Sequence, residues 1–527
     1  MFSTRAFLGS VAALLLLLFS IPSFAQSFRV QCPPTTPAHP TALQPGAGEP
    51  AYTGPSYTGQ TSVSTGVVNG AIKCQQISGG DGYATMGDGT QTYLFAFGPL
   101  SGLADIQKGL PGTEFASVFN TVGDPRVNPT FNGAVGLVPD PESVPAGQLT
   151  GHVDPRAIMD IGVMNGNEPA PTMAIDEDDE FFLTLTNVGM IMRPDLFEQH
   201  TVHFHGYPNA SSFYDGVPDA SVAINIGASF TYYYLAPDAG TYFWHCHITP
   251  PEHLQMGMVG QIFVRPRQNR VPGGASLYNS LVAQQLDLRT ACGNDILCTT
   301  PLPPTNSVLH VNNLSGTPTL YAYNDGDGST AYDVEYPVQI HGFDPNFHFV
   351  GMTFNPEPFT DMKDKYFLLN GRSYPDTVNT VTPGDPGSMQ TVVADGTQHF
   401  SQPLPTLINI PAGGKALLRI SDLDVSEFQT LASLGIPMHV VGINARLLRD
   451  MAGNDLTYKT NSITLGGGES IDVILDASDT TKYAAGAVYY LYTPNLDHLS
   501  NDAENFGGLM TEVHICHAVD PTTKSCT

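Results

Sequence analysis

Apolar and polar positions alternate with a period of two along residues 170–265. In 181–188 (FFLTLTNV), Phe182, Thr184 and Thr186 fall on one face and Leu183 and Leu185 on the other, the mark of a strand. The same reading predicts strands at 173–175, 200–205, 223–226, 229–235, 240–245 and 258–264, and an earlier one in TQTYLFAFG between Tyr83 and Gly98. Short strands at close spacing with few helical patterns predict a β-sandwich. A second β-rich half covers 307–517, with strands at 366–369, 406–410, 416–420, 438–441, 471–475 and 488–492. Residues 26–80 are rich in Pro, Gly, Ser and Thr and read as an irregular arm; 265–305 reads as a linker. The stretch 99–167 is punctuated by Gly, Pro and Asp and yields no assignable element.

The two halves form an imperfect repeat. Segment 201–206 (TVHFHG) resembles 437–442 (PMHVVG), 239–244 resembles 485–490, and 257–264 resembles 508–515. The pairing sets His439 opposite His203, Val441 opposite His205 and Leu509 opposite Met258.

Candidate chemistry concentrates in the first half. Residues 244–260 read WHCHITPPEHLQMGMVG. Two imidazoles and a thiolate with a weak axial thioether suit copper in both oxidation states. His245, Cys246, His247 and His253 lie close in sequence to Met256 and Met258, so Cys246 and His253 are candidate ligands with Met258, or Met256, as the axial sulfur. Upstream stands HTVHFHG, residues 200–206. In a strand, His203 and His205 share a face, as do His245 and His247, while Cys246 points the other way. One strand end can thus serve two metal sites, with an electron path from Cys246 to either flanking histidine.

The chain has 527 residues, enough for two to four domains. Its net charge of −28, from 21 basic and 49 acidic residues, argues against nucleic acid or an anionic membrane as partner. Residues 1–25 read as an export leader: Arg5, an apolar run over 11–20, and Ser23-Phe24-Ala25 before the cleavage point. That run is short for a membrane span and no second one follows. The expected location is periplasmic or secreted, by a route the single arginine leaves open. Seven cysteines less Cys246 leave six, and spacing suggests Cys32–Cys74, Cys292–Cys298 and Cys516–Cys526. His39, His152, His310, His399, His514 and His517 show no partner pattern, His348 and His498 are unassigned, and His341 and His439 read as core residues.

HTVHFHG followed by HCH, His253 and Met258 resembles the copper-binding signature of the multicopper oxidases, the laccase-like cupredoxin family. The resemblance implies an all-β fold of two tandem cupredoxin-like Greek-key β-sandwich domains, at 81–265 and 306–518, with the arm at 26–80, a linker at 266–305 and a tail at 519–527. It implies type 1 copper on His200, Cys246, His253 and Met258, type 2 copper on His203, and type 3 copper on His205, His245 and His247. The DGVP stretch at 215–218 resembles the family turn whose acid, here Asp215, aids proton delivery. Segments 370–375 and 468–476 resemble non-metal domains of the family. The step from His253 to Met258 fits the family; the gap from Cys246 to His253 is two residues longer.

The implied activity is one-electron oxidation of a small-molecule or metal-ion reductant coupled to O2 reduction. The family's trinuclear cluster takes eight histidines, and this chain offers four. A homo-oligomer such as a trimer could complete the cluster, a mononuclear site as in copper nitrite reductases could replace it, or type 1 copper could bind alone and serve electron transfer without turnover.

Overall fold

The computed structural model describes residues 30–36, 71–140, 153–206, 211–236, 238–285, 308–310, 319–353, 358–379, 391–392, 398–450 and 452–527. The leader, most of the arm, much of the linker, and Cys292 and Cys298 lie outside them.

The first unit pairs two sheets. One runs β2–β1–β4–β6, built from β1 (Ile72–Thr85), β2 (Gln91–Pro99), β4 (Glu180–Gly189) and β6 (Ser229–Leu235). The other runs β3–β8–β7–β5, from β3 (Met173–Asp176), β5 (His203–Phe204), β7 (Gly240–His245) and β8 (Val259–Arg265). Phe97, Leu183, Leu185, Tyr232, Trp244 and Ile262 fill the core between them.

Strand β1 begins inside the stretch read as an irregular arm. It carries no alternation because both faces are covered. Most of its polar residues are buried, and hydrogen bonds hold several of them: Gln76 Nε2 donates to Thr186 Oγ1 (3.0 Å), and Tyr93 donates to Asp81 Oδ1 (2.6 Å). The segment that defied assignment supplies the outer cover. There α1 (Pro155–Gly162) starts on an Asp154 cap with proline in its first turn. Its Ala157 packs on Leu100, Val135 and Val138. The Cys32–Cys74 disulfide ties residues 30–36 to β1.

Two other expectations need correction. The strand expected over 200–205 is only the two residues of β5, and the one over 223–226 is a single bridge, His200 to Ile224.

The second unit repeats the arrangement. One sheet contains β10–β9–β12–β16–β14, made of β9 (Val334–Phe343), β10 (Tyr366–Leu369), β12 (Lys415–Asp422), β14 (Met438–Ile443) and β16 (Ser470–Asp476). The other contains β11–β18–β17–β13–β15, from β11 (Ile408–Pro411), β13 (Gln429–Leu434), β15 (Ser462–Leu465), β17 (Val488–Tyr492) and β18 (Met510–Cys516). Cys516 is bonded to Cys526. The pairing senses match: β1 is parallel to β4 as β9 is to β12, and β3 to β8 as β11 is to β18. The described residues are thus all-β in class and form two tandem β-sandwiches of matching strand order.

This topology overturns one expected equivalence. Strand β5 pairs with β7, and its counterpart pairing with β17 is β13, not β14. His439 on β14 therefore lies in the other sheet, where it bonds Thr457 (2.9 Å), and Val441 does not correspond to His205. The units meet through β7 and β8 against β12 and β16: Thr241 donates to Asp472 (2.6 Å), and Gln261 Nε2 to the Arg419 carbonyl (2.9 Å).

Candidate metal centres

The end of β7 and the loop to β8 carry most of the candidate ligands. His203 sits directly opposite His245 across β5 and β7, so His205 flanks one side of that pair and His247 the other. His205 N–H bonds the Phe243 carbonyl (2.9 Å), which turns the His205 backbone back onto β7, and His247 N–H bonds Thr201 Oγ1 (3.0 Å). Imidazole nitrogens of His203, His205 and His245 come within 4.8 Å of one another, with His205 Nε2 and His245 Nε2 2.9 Å apart. His247 stacks on His245 (5.5 Å between ring centres) and stands edge-on to His203 (5.1 Å), but lies outside that tight group. The register explains this, since His205 and His247 occupy opposite diagonals.

Two carbonyls orient this set. His203 Nδ1 donates to the Asp215 carbonyl (2.7 Å) and His245 Nδ1 to the Cys246 carbonyl (2.6 Å), which leaves each Nε2 for a metal. The Asp215 carboxylate lies 3.7 Å from His203 Nδ1. Burial and then neighbouring His203 lower His205 to about 4; burial holds His245 well below its ordinary value. Both imidazoles are therefore unprotonated, as metal binding requires.

Cys246 points the other way, into the core. His200, Cys246 and His253 form the second compact set, all fully buried. His253 Nδ1 lies 3.2 Å from the sulfur, and Thr201 N–H donates to it at 3.4 Å. Burial alone would raise the Cys246 thiol, but His253 and His200 outweigh it and hold it well below its ordinary value. Burial opposes protonation of His253, while Cys246 and Glu198 push it up to about 10. A cation bound by the thiolate would take that proton's place.

The set passes a test of fit for a soft metal. Both ring nitrogens of His200 are buried without a hydrogen-bond partner, a cost that a metal bond would remove. Glycine at position 79 makes room for that ring: a Cβ there would lie 2.6 Å from His200 Cδ2 and 3.3 Å from the Met258 methyl.

The two extra residues between Cys246 and His253 form a helical turn. Thr249 adopts φ +37°, and α2 (Pro250–Gln255) begins on two prolines and carries His253 back to the sulfur. Met258 closes the loop, its N–H bonding the His253 carbonyl (2.8 Å) and its carbonyl accepting from Cys246 N–H (3.1 Å). Met256 is equally buried at the end of α2. Glu198 lies 3.6 Å from His253 Nε2, a neighbour that the sequence reading missed although it stands two residues before His200. Gly79 was missed too, because nothing in its local sequence marks it.

The second unit repeats this framework with other side chains. Leu509 N–H bonds the His498 carbonyl (3.0 Å) and its carbonyl accepts from Thr493 N–H (2.9 Å), the same pair of bonds that Met258 makes to His253 and Cys246. His498 Nδ1 meets Gln429 (2.9 Å) and Nε2 meets Glu427 (2.9 Å). Its ring stacks on Phe367 of β10, as His253 stands against Phe95 of β2. Thus Glu427, Gln429, Thr493, His498 and Leu509 occupy the places of Glu198, His200, Cys246, His253 and Met258. His341 pairs with buried Glu168 (2.8 Å), and His348 bonds the Gln255 carbonyl (2.9 Å), so both serve the fold. Among the described residues, the second unit sets Gly468 against His205 and contributes no histidine to the His203 group.

The family model for multicopper oxidases matches residues 150–269. Laccase abr2 of Aspergillus fumigatus is 34% identical over 109 residues, 20% of this chain and 17% of that protein. Multicopper oxidase MCE of Talaromyces pinophilus is 33% identical over 112 residues, 21% of this chain and 17% of that protein. The chain thus spans about a sixth of the length of these curated relatives. Among solved structures, the blue copper oxidase of Nitrosomonas europaea superposes with a TM-score of 0.47 at 16% identity, covering 84% of this chain and 85% of that one.

Proposed function

We propose that this chain, whose residues 150–269 are a multicopper oxidase domain, is an exported copper-dependent oxidoreductase that takes single electrons from a small-molecule or metal-ion reductant and passes them to O2. The observation that carries the reading is the shared strand end, where Cys246 serves one ligand set and His245, bonded to the Cys246 carbonyl, serves the other. Copper bound at these sets supplies reversible one-electron chemistry.

The residues divide the remaining work. His200, Cys246 and His253 would hold a type 1 copper in this reading, with Met258 supplying a further sulfur, because its backbone is tied to both Cys246 and His253. Complete burial keeps water from the thiolate. Glu198 steadies the outward nitrogen of His253, where a reductant would deliver its electron. The peptide links from Cys246 to His245 and His247 are the shortest covalent route between the sets. His203, His205, His245 and His247 are assigned to the O2-reducing site. Asp215 holds His203 through its carbonyl and presents its carboxylate to that site as a proton carrier.

A second reading rests on Gly468 standing where a further ligand would be needed: type 1 copper alone, with electron transfer but no turnover. A nitrite reductase-like mononuclear centre, or completion by a homo-oligomer, would also answer that gap. O2 uptake by the copper-loaded protein with a phenolic or Mn(II) donor separates them. The oxidase reading expects uptake that His203→Ala reduces by at least ~100-fold, the scale of losing a group that acts in the reaction itself. An intense thiolate band without any O2 uptake would favour the electron carrier.

A further inference from the structure

A cavity of about 310 Å³ lies at the seam between the two units, at the end of β8 away from Met258. Seven residues of strand place Arg265 roughly 20 Å from Met258, so the cavity is separate from the copper ligands. Phe263 and Arg265 line it from the first unit and Tyr336 and Leu407 from the second; Lys524 closes it from the C-terminal tail. The size falls at the lower end of small-molecule sites, about 300–1,000 Å³.

Its charges are unusual for a chain of net charge −28. The carboxylate in the wall, Glu335, is already engaged. Arg265 Nε holds one oxygen (2.7 Å), and Arg419 Nε (3.0 Å) and the Tyr332 hydroxyl (3.0 Å) hold the other. Lys108 on the rim faces Asp105 (3.8 Å). Lys524 makes no contact ion pair: among the described residues no carboxylate lies within ion-pair distance of its ammonium, and Glu335 acts on it only at longer range. Its backbone is nevertheless fixed. Lys524 N–H bonds the Asp520 carbonyl (2.9 Å), Asn409 Nδ2 bonds the Lys524 carbonyl (2.8 Å), and the Cys516–Cys526 disulfide anchors the tail two residues on. Burial pushes the ammonium below its ordinary value, with Glu335 opposing the shift and Arg265 adding to it, and a bound anion would oppose it further.

We propose that this cavity binds a small carboxylate with a flat apolar body, the carboxylate on Lys524 and the body between Tyr336, Phe263 and Leu407. Such a ligand would bridge the two units and the tail. An ammonium with no contact partner in a mostly apolar recess gains a charge-assisted bond from that ligand, and a neutral amide of the same shape does not supply it.

The test is calorimetric titration of the copper-loaded full chain with cinnamate, which has no phenol to oxidise. The expected result is saturable binding that Lys524→Met weakens by about tenfold, the loss of one charge-assisted contact. Cinnamamide should bind the parent as weakly, Lys524→Arg should retain cinnamate, and Leu407→Trp should block it, all with unchanged visible absorption and melting temperature. Equal cinnamate affinity in the parent and Lys524→Met would overturn the proposal, as would no binding to the parent at ~10 mM, the weak limit of useful small-ligand affinity.

Discussion

The two units share a strand plan, and what separates them is a handful of side chains. At the same point of that plan, His203 faces His245 in the first unit and Ala432 faces Tyr492 in the second. Around the loop that follows, Cys246 becomes Thr493, His200 becomes Gln429 and Met258 becomes Leu509, while the histidine at position 253 persists at 498. The second framework stands on its own apolar core of Val338, Ile340, Leu418, Val473 and Leu491, with Gln429 satisfying His498. The sandwich does not depend on the metal; the site is laid over a framework that folds without one. At this place in the second unit Gln429 bonds His498 and Asp424, whereas in the first the His200 ring is left without any hydrogen bond.

The comparison can be broken most sharply at Cys246. Cys246→Ser removes the soft ligand, so the thiolate band should vanish and O2 uptake should fall by more than ~1,000-fold; retention of the band would detach the colour from this site. The converse change should transfer the property. Gln429→His with Thr493→Cys and Leu509→Met rebuilds the set around His498, and copper content should rise by about one ion per chain with a second thiolate band. Unchanged copper content in a folded triple variant would mean that the shared backbone does not define the site.

A smaller effect is expected at Gly79. Gly79→Ala puts a methyl against His200 and should weaken type 1 copper binding by about tenfold, the low end for disturbing groups that hold metal ligands. An unaltered copper titration would show that His200 has room to move.

The mildest test concerns the seam where the two frameworks meet. Gln255 of α2 donates to Asp364 (3.0 Å), and Ser426 of the second unit donates to the same carboxyl. Burial, then Asp424, raise Asp364 to about 7. A carboxyl raised in the folded state binds more protons there than in the unfolded chain, so its presence costs stability as pH rises from about 4 to 7, and that cost persists above. Asp364→Asn removes the cost. Its melting temperature should exceed the parent's by more at pH 8 than at pH 5, with a difference of about 2–4 °C, which roughly 1 kcal/mol is worth in a unit of this size. An equal offset at both pH values would assign the effect to packing.

Much of the first unit was readable because its strands are bounded by sharp turns. The strands at 229–235 and 240–245 appear as expected, and the paired HxH motifs lie face to face. Strand β1 was not readable, since a sheet covered on both faces loses the alternation that marks a strand. His439 was set opposite His203 by a short likeness in sequence, but strand pairing decides equivalence, and β14 belongs to the other sheet. His498 stays unassigned in the sequence for the opposite reason: once Cys and Met are replaced, no spacing of ligand types remains, and backbone hydrogen bonds alone reveal the correspondence.

The central claim is that two copper sites lie back to back across Cys246 and its flanking histidines. Copper analysis with EPR on the purified, copper-loaded chain tests it most directly. The account predicts more than one copper per chain, one of them type 1, with His203→Ala losing the others while the type 1 signal stays. A parent protein that holds a single copper, or that lacks a type 1 signal when fully loaded, would contradict it.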